Sequence, residues 1–196
     1  NLARQGVSCA VVTPMPVAVL AIKHPGCADA VLVDAPCSGH EARSAKQVRR
    51  MSEIQGRLLD QAAMLVRANG RLVYSTCTPY REENEDVVIA FLTRHLDWVV
   101  EPRSEFGCDA DLAGLGAVRL WPQRQGTEPF FACVLRAPAR NVTEPSLVGD
   151  EPSADNLLRR WLPTSPLLCW SRGTYVLAAT AAAAACALPS EARGLV

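Results

Sequence analysis

Asp34, Cys37 and Cys77 are the side chains of this sequence whose types and spacing invite chemistry. They lie in Asp34-Ala35-Pro36-Cys37-Ser38-Gly39 and, some forty residues on, in Tyr74-Ser75-Thr76-Cys77-Thr78. A thiolate suits attack on an electron-poor ring carbon. Cytosine and uracil accept one at carbon 6, after which carbon 5 is nucleophilic enough to take a methyl group. A carboxyl group that hydrogen-bonds or protonates the ring completes the set, and a second cysteine can help eliminate the covalent product. Such attack needs the base out of any stack, so flipped or single-stranded nucleotides are the natural substrates. Plainer readings exist for each residue: a lone buried cysteine is usually packing, and an aspartate at a strand end often serves a cap or turn. Two such loops on adjacent strands favour the chemical reading, while spacing alone leaves the reaction open.

The elements that must position these loops are short apolar runs. Val31 to Val33 and Leu72 to Tyr74 have the length and β-branched content of buried parallel strands. Between them, Glu41 to Ala68 carries apolar residues at Met51, Ile54, Leu58, Ala62 and Leu65, the period of an amphipathic helix, with Asn69-Gly70 as its C-terminal stop. Strand, crossover helix and strand place both loops at the same carboxyl edge of one sheet, where open α/β sheets hold ligands.

Composition narrows the classes. Formal net charge is zero, so nucleic-acid contact requires a local basic patch. Arg43, Lys46, Arg49 and Arg50, at the front of the crossover helix, form such a cluster; a solvated helix face explains it equally well. The 8 cysteines include no Cys-x-x-Cys pair, so there is no zinc signature and no metal is expected. Several sit in strand-like runs as small hydrophobes, which points to a reducing, intracellular compartment. The most apolar stretch, Thr174 to Leu188, is mostly alanine and shorter than the roughly 20 residues of a membrane span. A soluble protein is the reading.

Along the chain, Asn1 to Gly6 reads as a helix end and Ala10 to Thr13 as a short strand. Val17 to Ile22 is a helical turn or an apolar linker. Past Cys77, the acidic run Glu82-Glu83-Asn84-Glu85-Asp86 begins a second helix through Val87, Val88, Phe91 and Leu92, where carboxylates suit the helix dipole. Val118 to Trp121 and Phe130 to Arg136 predict an antiparallel closing hairpin. Residues 137–156 form a linker rich in Pro, Ser, Asp and Glu. Residues 157–196 form a C-terminal appendix, with a helix at Leu157 to Leu162, a strand at Gly173 to Ala179 and weak helix preference at Ala181 to Ala185.

The two cysteine loops closely resemble the fourth and sixth motifs of the Nop/Sun (Fmu, RsmB-like) family of RNA cytosine-5 methyltransferases. Gln55 to Val66 leading to Asn69-Gly70, Glu82-Glu83-Asn84-Glu85, and Leu120-Trp121-Pro122 followed by Gly126-Thr127 and Phe130-Phe131 are similar too, and so is Asn1 to Gly6. The resemblance covers residues 1–136, the C-terminal part of a catalytic domain. It implies an α/β fold: a Rossmann-like class I methyltransferase sheet, mostly parallel with an antiparallel closing hairpin, incomplete at its N-terminal side. It implies S-adenosylmethionine as donor and rRNA or tRNA as substrate, with ribosomal assembly partners and no membrane. By the same resemblance Cys77 is the nucleophile, Cys37 assists release, and Asp34 contacts the ring and the donor; Asp34, Ala35 and Pro36 bind the donor, with Pro36 shaping the loop. The compartment would be cytoplasmic in a bacterium, nucleolar or mitochondrial in a eukaryote.

Departures from the family pattern are specific. Its glycine-rich donor loop with a catalytic lysine, and the acidic residue that holds the ribose, have no counterpart. Thr13-Pro14-Met15-Pro16 stands where an aspartate is usual, and the connector between the cysteine loops is short. In this class of sheet the missing first and second strands lie between the third and the fourth. Either the chain is part of a longer protein, the favoured reading, or its N-terminal strand pairs directly with Val31 to Val33; otherwise sheet edges are left open. A catalytically inactive relative serving as an RNA-binding or ribosome-assembly scaffold is the competing reading.

Overall fold

The computed structural model describes residues 11–13, 15–40, 42, 44–103, 109–110, 113–139, 167–171 and 174–179. The expected helices at Asn1 to Gly6, Leu157 to Leu162 and Ala181 to Ala185, most of the 137–156 linker, and Arg43 lie outside these residues. The described elements are β1 (Val11–Thr13), α1 (Val17–Lys23), β2 (Ala28–Asp34), α2 (Ala45–Leu65), β3 (Val66–Thr76), a 3-10 turn (Arg81–Glu83), α3 (Glu85–Arg94), β4 (Val99–Val100), β5 (Asp109–Ala110), β6 (Val118–Leu120), α4 (Pro122–Gln125), β7 (Phe130–Arg136), β8 (Leu167–Ser171) and β9 (Thr174–Ala179).

All nine strands join one sheet, in the order β1-β8-β9-β2-β3-β7-β6-β5, with β4 also on β7. The sheet is mixed. β2–β3 and β1–β8 are parallel, and the other ladders are antiparallel. The closing hairpin expected from Val118 to Arg136 is β6–β7. Val17 to Ile22 resolves into helix α1. On β2 and β3, Val31, Val33, Leu72 and Tyr74 are fully buried together with Leu59 and Leu65 of α2 and Phe131, Cys133 and Leu135 of β7. Leu32 and Val73, which alternate with them, are half-buried.

Two differences from the sequence reading have clear physical causes. The crossover helix ends at Leu65, not at Asn69-Gly70, because Val66 already pairs with Ala28. Between the pairs Ala28–Val66 and Ala30–Arg71 the ladder bulges. Asn69 turns the bulge with φ 56, a region that asparagine tolerates. Gly70 follows because a Cβ there would stand 2.9 Å from the Asp29 carbonyl oxygen and 2.6 Å from Val66 Cγ1. The second difference concerns the sheet edge. β1 does not pair with β2; the β8–β9 hairpin stands between them, with β8 along β1 and β9 antiparallel to β2 from Ala30–Ala179 to Asp34–Tyr175. Backbone groups of β2 that would face an open edge are thereby hydrogen-bonded.

Candidate active site

The parallel β2–β3 pair delivers both loops to one edge, in register Asp34 against Ser75. The Ala35 N–H donates to the Ser75 carbonyl at 2.9 Å, which extends the pairing one residue past the strand. Ser75 Oγ donates to Asp34 Oδ1 at 3.1 Å, leaving an exposed carboxylate at the end of β2. Beyond it the chain turns through Gly39, whose φ of 71 favours glycine. The loop brings Cys37 Sγ to 3.2 Å from Cys77 Sγ. Cys77 is exposed and Cys37 half-buried. Burial, and then the contact with the Cys77 thiol, push the Cys37 thiol up to about 11, against lowering backbone hydrogen bonds. Cys37 is therefore a neutral thiol at physiological pH.

A buried polar layer stands beneath the thiols. Glu83 is fully buried, and its carboxylate accepts the Ser38 N–H at 3.0 Å, the Ser38 hydroxyl, and Gln55 Nε2 at 2.8 Å. Asn84, equally buried, donates to the Thr78 carbonyl at 2.8 Å and accepts from the Thr76 hydroxyl at 2.5 Å. The Thr78 hydroxyl donates to the Gly39 carbonyl at 2.8 Å, tying one cysteine loop to the other. Glu85 accepts a two-pronged contact from buried Arg119, 2.6 Å on each side, and Arg119 also donates to the Pro79 carbonyl at 3.1 Å. Helix-dipole duty thus suits exposed Glu82 and Asp86, whereas Glu83 and Glu85 have dedicated buried partners. Sequence reading missed Gln55, Glu83, Asn84 and Arg119 as parts of the site. For Glu83 and Asn84 the signal available was the polar run Glu82-Glu83-Asn84-Glu85-Asp86 directly after a cysteine loop; nothing comparable marks Gln55 or Arg119.

Of the basic cluster, Lys46, Arg49 and Arg50 are exposed on the first turns of α2, which Ser44 caps through the Gln47 N–H at 3.2 Å. Arg49 lines an open groove of about 510 Å³ together with Val48 and Tyr80. Tyr80 follows Cys77 by three residues, so the groove abuts the loop. Arg43 belongs to the same sequence cluster but not to the described residues.

Asp34, Ala35 and Pro36 suit the reactive end of a methyl donor: an exposed carboxylate beside a backbone turn at the carboxyl edge. The described strands offer nothing comparable for the rest of such a molecule. Next to β2 stands antiparallel β9 instead of a parallel strand turning into a helix, the arrangement that cradles nucleotides in doubly wound sheets.

An α/β sheet with its carboxyl-edge cysteine loops and closing antiparallel hairpin defines an incomplete Rossmann-like, class I methyltransferase fold. More narrowly, residues 1–136 match the family described as 16S rRNA methyltransferase RsmB/F, and the chain belongs to that family. It is 34% identical over 168 residues to ribosomal RNA small subunit methyltransferase F of Shewanella amazonensis, covering 78% of this chain and 36% of that protein. It is 36% identical over 121 residues to the probable ribosomal RNA small subunit methyltransferase B of Bacillus subtilis, covering 55% and 27%. The chain thus spans about a third or less of the length of these curated relatives. Among solved structures, NSun6 from Pyrococcus horikoshii with SFG superposes with a TM-score of 0.62 at 30% identity, over 69% of this chain and 36% of that one.

Proposed function

We propose that this chain carries the reactive thiols of an RNA cytosine-5 methyltransferase acting on rRNA or tRNA. The observation that supports it best is the exposed Cys77 thiol, 3.2 Å from Cys37 at the ends of adjacent parallel strands. Cys77 Sγ adds as a thiolate to carbon 6 of an extruded cytosine, forming one S–C bond and moving electron density to carbon 5. Asp34 hydrogen-bonds the ring. S-adenosylmethionine, which Asp34, Ala35 and Pro36 would contact, supplies the methyl group when bound. Loss of the carbon-5 proton then restores the ring as the S–C bond breaks, and Cys37 assists this release. Arg43, Lys46, Arg49 and Arg50 contact RNA phosphates. A cytoplasmic location, beside the ribosomal RNA that its bacterial relatives are named for, completes the reading. No helix among the described residues is long and apolar enough to cross a membrane.

Incubation with methyl-labelled S-adenosylmethionine and RNA tests the reading: label is expected on cytosine carbon 5. The Cys37→Ala variant should accumulate a covalent RNA adduct that resists denaturation, and Cys77→Ala should form none. An adduct persisting in Cys77→Ala would reverse the roles assigned to the two thiols.

A second reading is favoured by one observation, the antiparallel β9 beside β2 where a donor-binding strand would run. It makes the chain an RNA-holding or ribosome-assembly scaffold without transfer activity. RNA retention on a filter with no donor binding would select it.

A further inference from the structure

Glu83 and Asn84 are consecutive, fully buried and polar, and with Gln55 as an intermediary on the Pro36 side they reach both sides of both cysteines. Gln55 Nε2 donates both to Glu83 and, at 2.8 Å, to the Pro36 carbonyl, which belongs to the peptide preceding Cys37. These two acceptors orient the Gln55 amide. Glu83 accepts the Ser38 N–H, which belongs to the peptide following Cys37. Asn84 does the same for Cys77, bonding the Thr76 hydroxyl on one side and the Thr78 carbonyl on the other. The Glu83 carbonyl in turn accepts the Tyr74 hydroxyl at 2.6 Å, which anchors the dipeptide to β3. Burying a carboxylate and an amide is unfavourable unless hydrogen bonds compensate it, and here, Gln55 apart, that compensation comes from residues flanking the two thiols.

We infer that Glu83 and Asn84 are positioning residues that set the separation of the Cys37 and Cys77 thiols. Neither touches the reacting atoms; each holds the peptide groups on which a thiol is mounted. That these thiols are the catalytic pair rests on the methyl-transfer reading above, whereas their mutual placement does not.

The test uses phenylarsine oxide, which condenses with two neighbouring thiols, forming two As–S bonds and releasing one water. It therefore reads thiol separation without any methyl transfer. The wild-type chain should hold the arsenical in a tight site that either Cys37→Ala or Cys77→Ala abolishes. Glu83→Ala, which leaves the Ser38 and Gln55 donors without their acceptor, and Asn84→Ala should each weaken the affinity about tenfold or more. Ser38→Ala removes one donor of three and should weaken it less; this mild change decides the matter if the other two fail to fold by circular dichroism. Leu135→Ala, a destabilising cut in the core away from the loops, should leave the affinity within about twofold, since placement and global stability are separate quantities. Wild-type affinity in folded Glu83→Ala, Asn84→Ala and Ser38→Ala, or the lack of a Cys37- and Cys77-dependent site in the wild type, overturns the inference. A wild-type chain that binds the arsenical through these thiols yet transfers no methyl to RNA contradicts the functional reading and leaves the positioning role intact.

Discussion

At the scale of single residues, the two thiols are set apart by what surrounds them. Cys37 is half-buried against Cys77, and burial followed by that contact lifts its pKa to about 11. Because the folded value exceeds the ordinary value of 9.0, the thiol form is favoured in the native state. Its stabilising contribution is complete below about pH 9 and is lost as pH rises through about 11. Alkylation of Cys37 by iodoacetamide, followed by peptide mass spectrometry, should therefore rise with a midpoint near 11 in the folded chain and near 9 in urea. Equal midpoints would mean that the loop is not packed as described. Gly39 is the other residue of consequence here, since its φ of 71 belongs to a loop with nothing within 4 Å of a built Cβ. Strain alone should make Gly39→Ala destabilising, by about 1–2 kcal/mol in urea unfolding.

At the scale of elements, a polar clamp holds the loop after β3 against the closing hairpin. Arg119 of β6 is 1% exposed and Glu85 of α3 fully buried. The guanidinium also lies 4.9 Å from the Trp121 ring centroid and 5.6 Å from that of Phe131. Removing one partner of a buried pair strands the other charge, so Arg119→Ala should lower stability by about 3–5 kcal/mol in chemical denaturation. Replacing both partners by apolar residues of similar volume should recover part of that loss. A loss under about 1 kcal/mol would show that water reaches the pair. Elsewhere, Glu101 accepts from Arg71 at 3.0 and 3.1 Å and lies among Arg136 and Arg103, and these hydrogen bonds and charges hold its carboxyl below the usual range.

At the scale of the whole molecule, the sheet depends on strands far apart in sequence. β9 saturates one edge of β2 while β3 covers the other. A chain ending at residue 156 should expose that edge and self-associate, visible as concentration-dependent elution in size-exclusion chromatography. Monomeric behaviour of the shortened chain would mean that β9 contributes little to sheet closure. Residues 137–156 as a linker and 157–196 as a C-terminal appendix of unknown role stay as the proposed partition; β8 and β9 of that appendix lie in the main sheet. Net charge is zero, so the RNA contact proposed for the α2 basic face should fall steeply with salt.

The sequence by itself determined the local features: the apolar runs of β2 and β3, the period of α2, the closing hairpin, and the placing of Asp34, Cys37 and Cys77 at one edge. Those follow from patterns of neighbouring residues and from the handedness of a strand-helix-strand crossover. Tertiary structure alone decided which polar residues are buried. Glu83 and Glu82 are adjacent and chemically identical, yet one is enclosed under Ser38 and the other faces solvent, because only packing against α2 and the Cys37 loop distinguishes them. Tertiary structure also decided that β8 and β9 stand between β1 and β2, since strand partners distant in sequence are chosen by which unpaired edges remain to be covered.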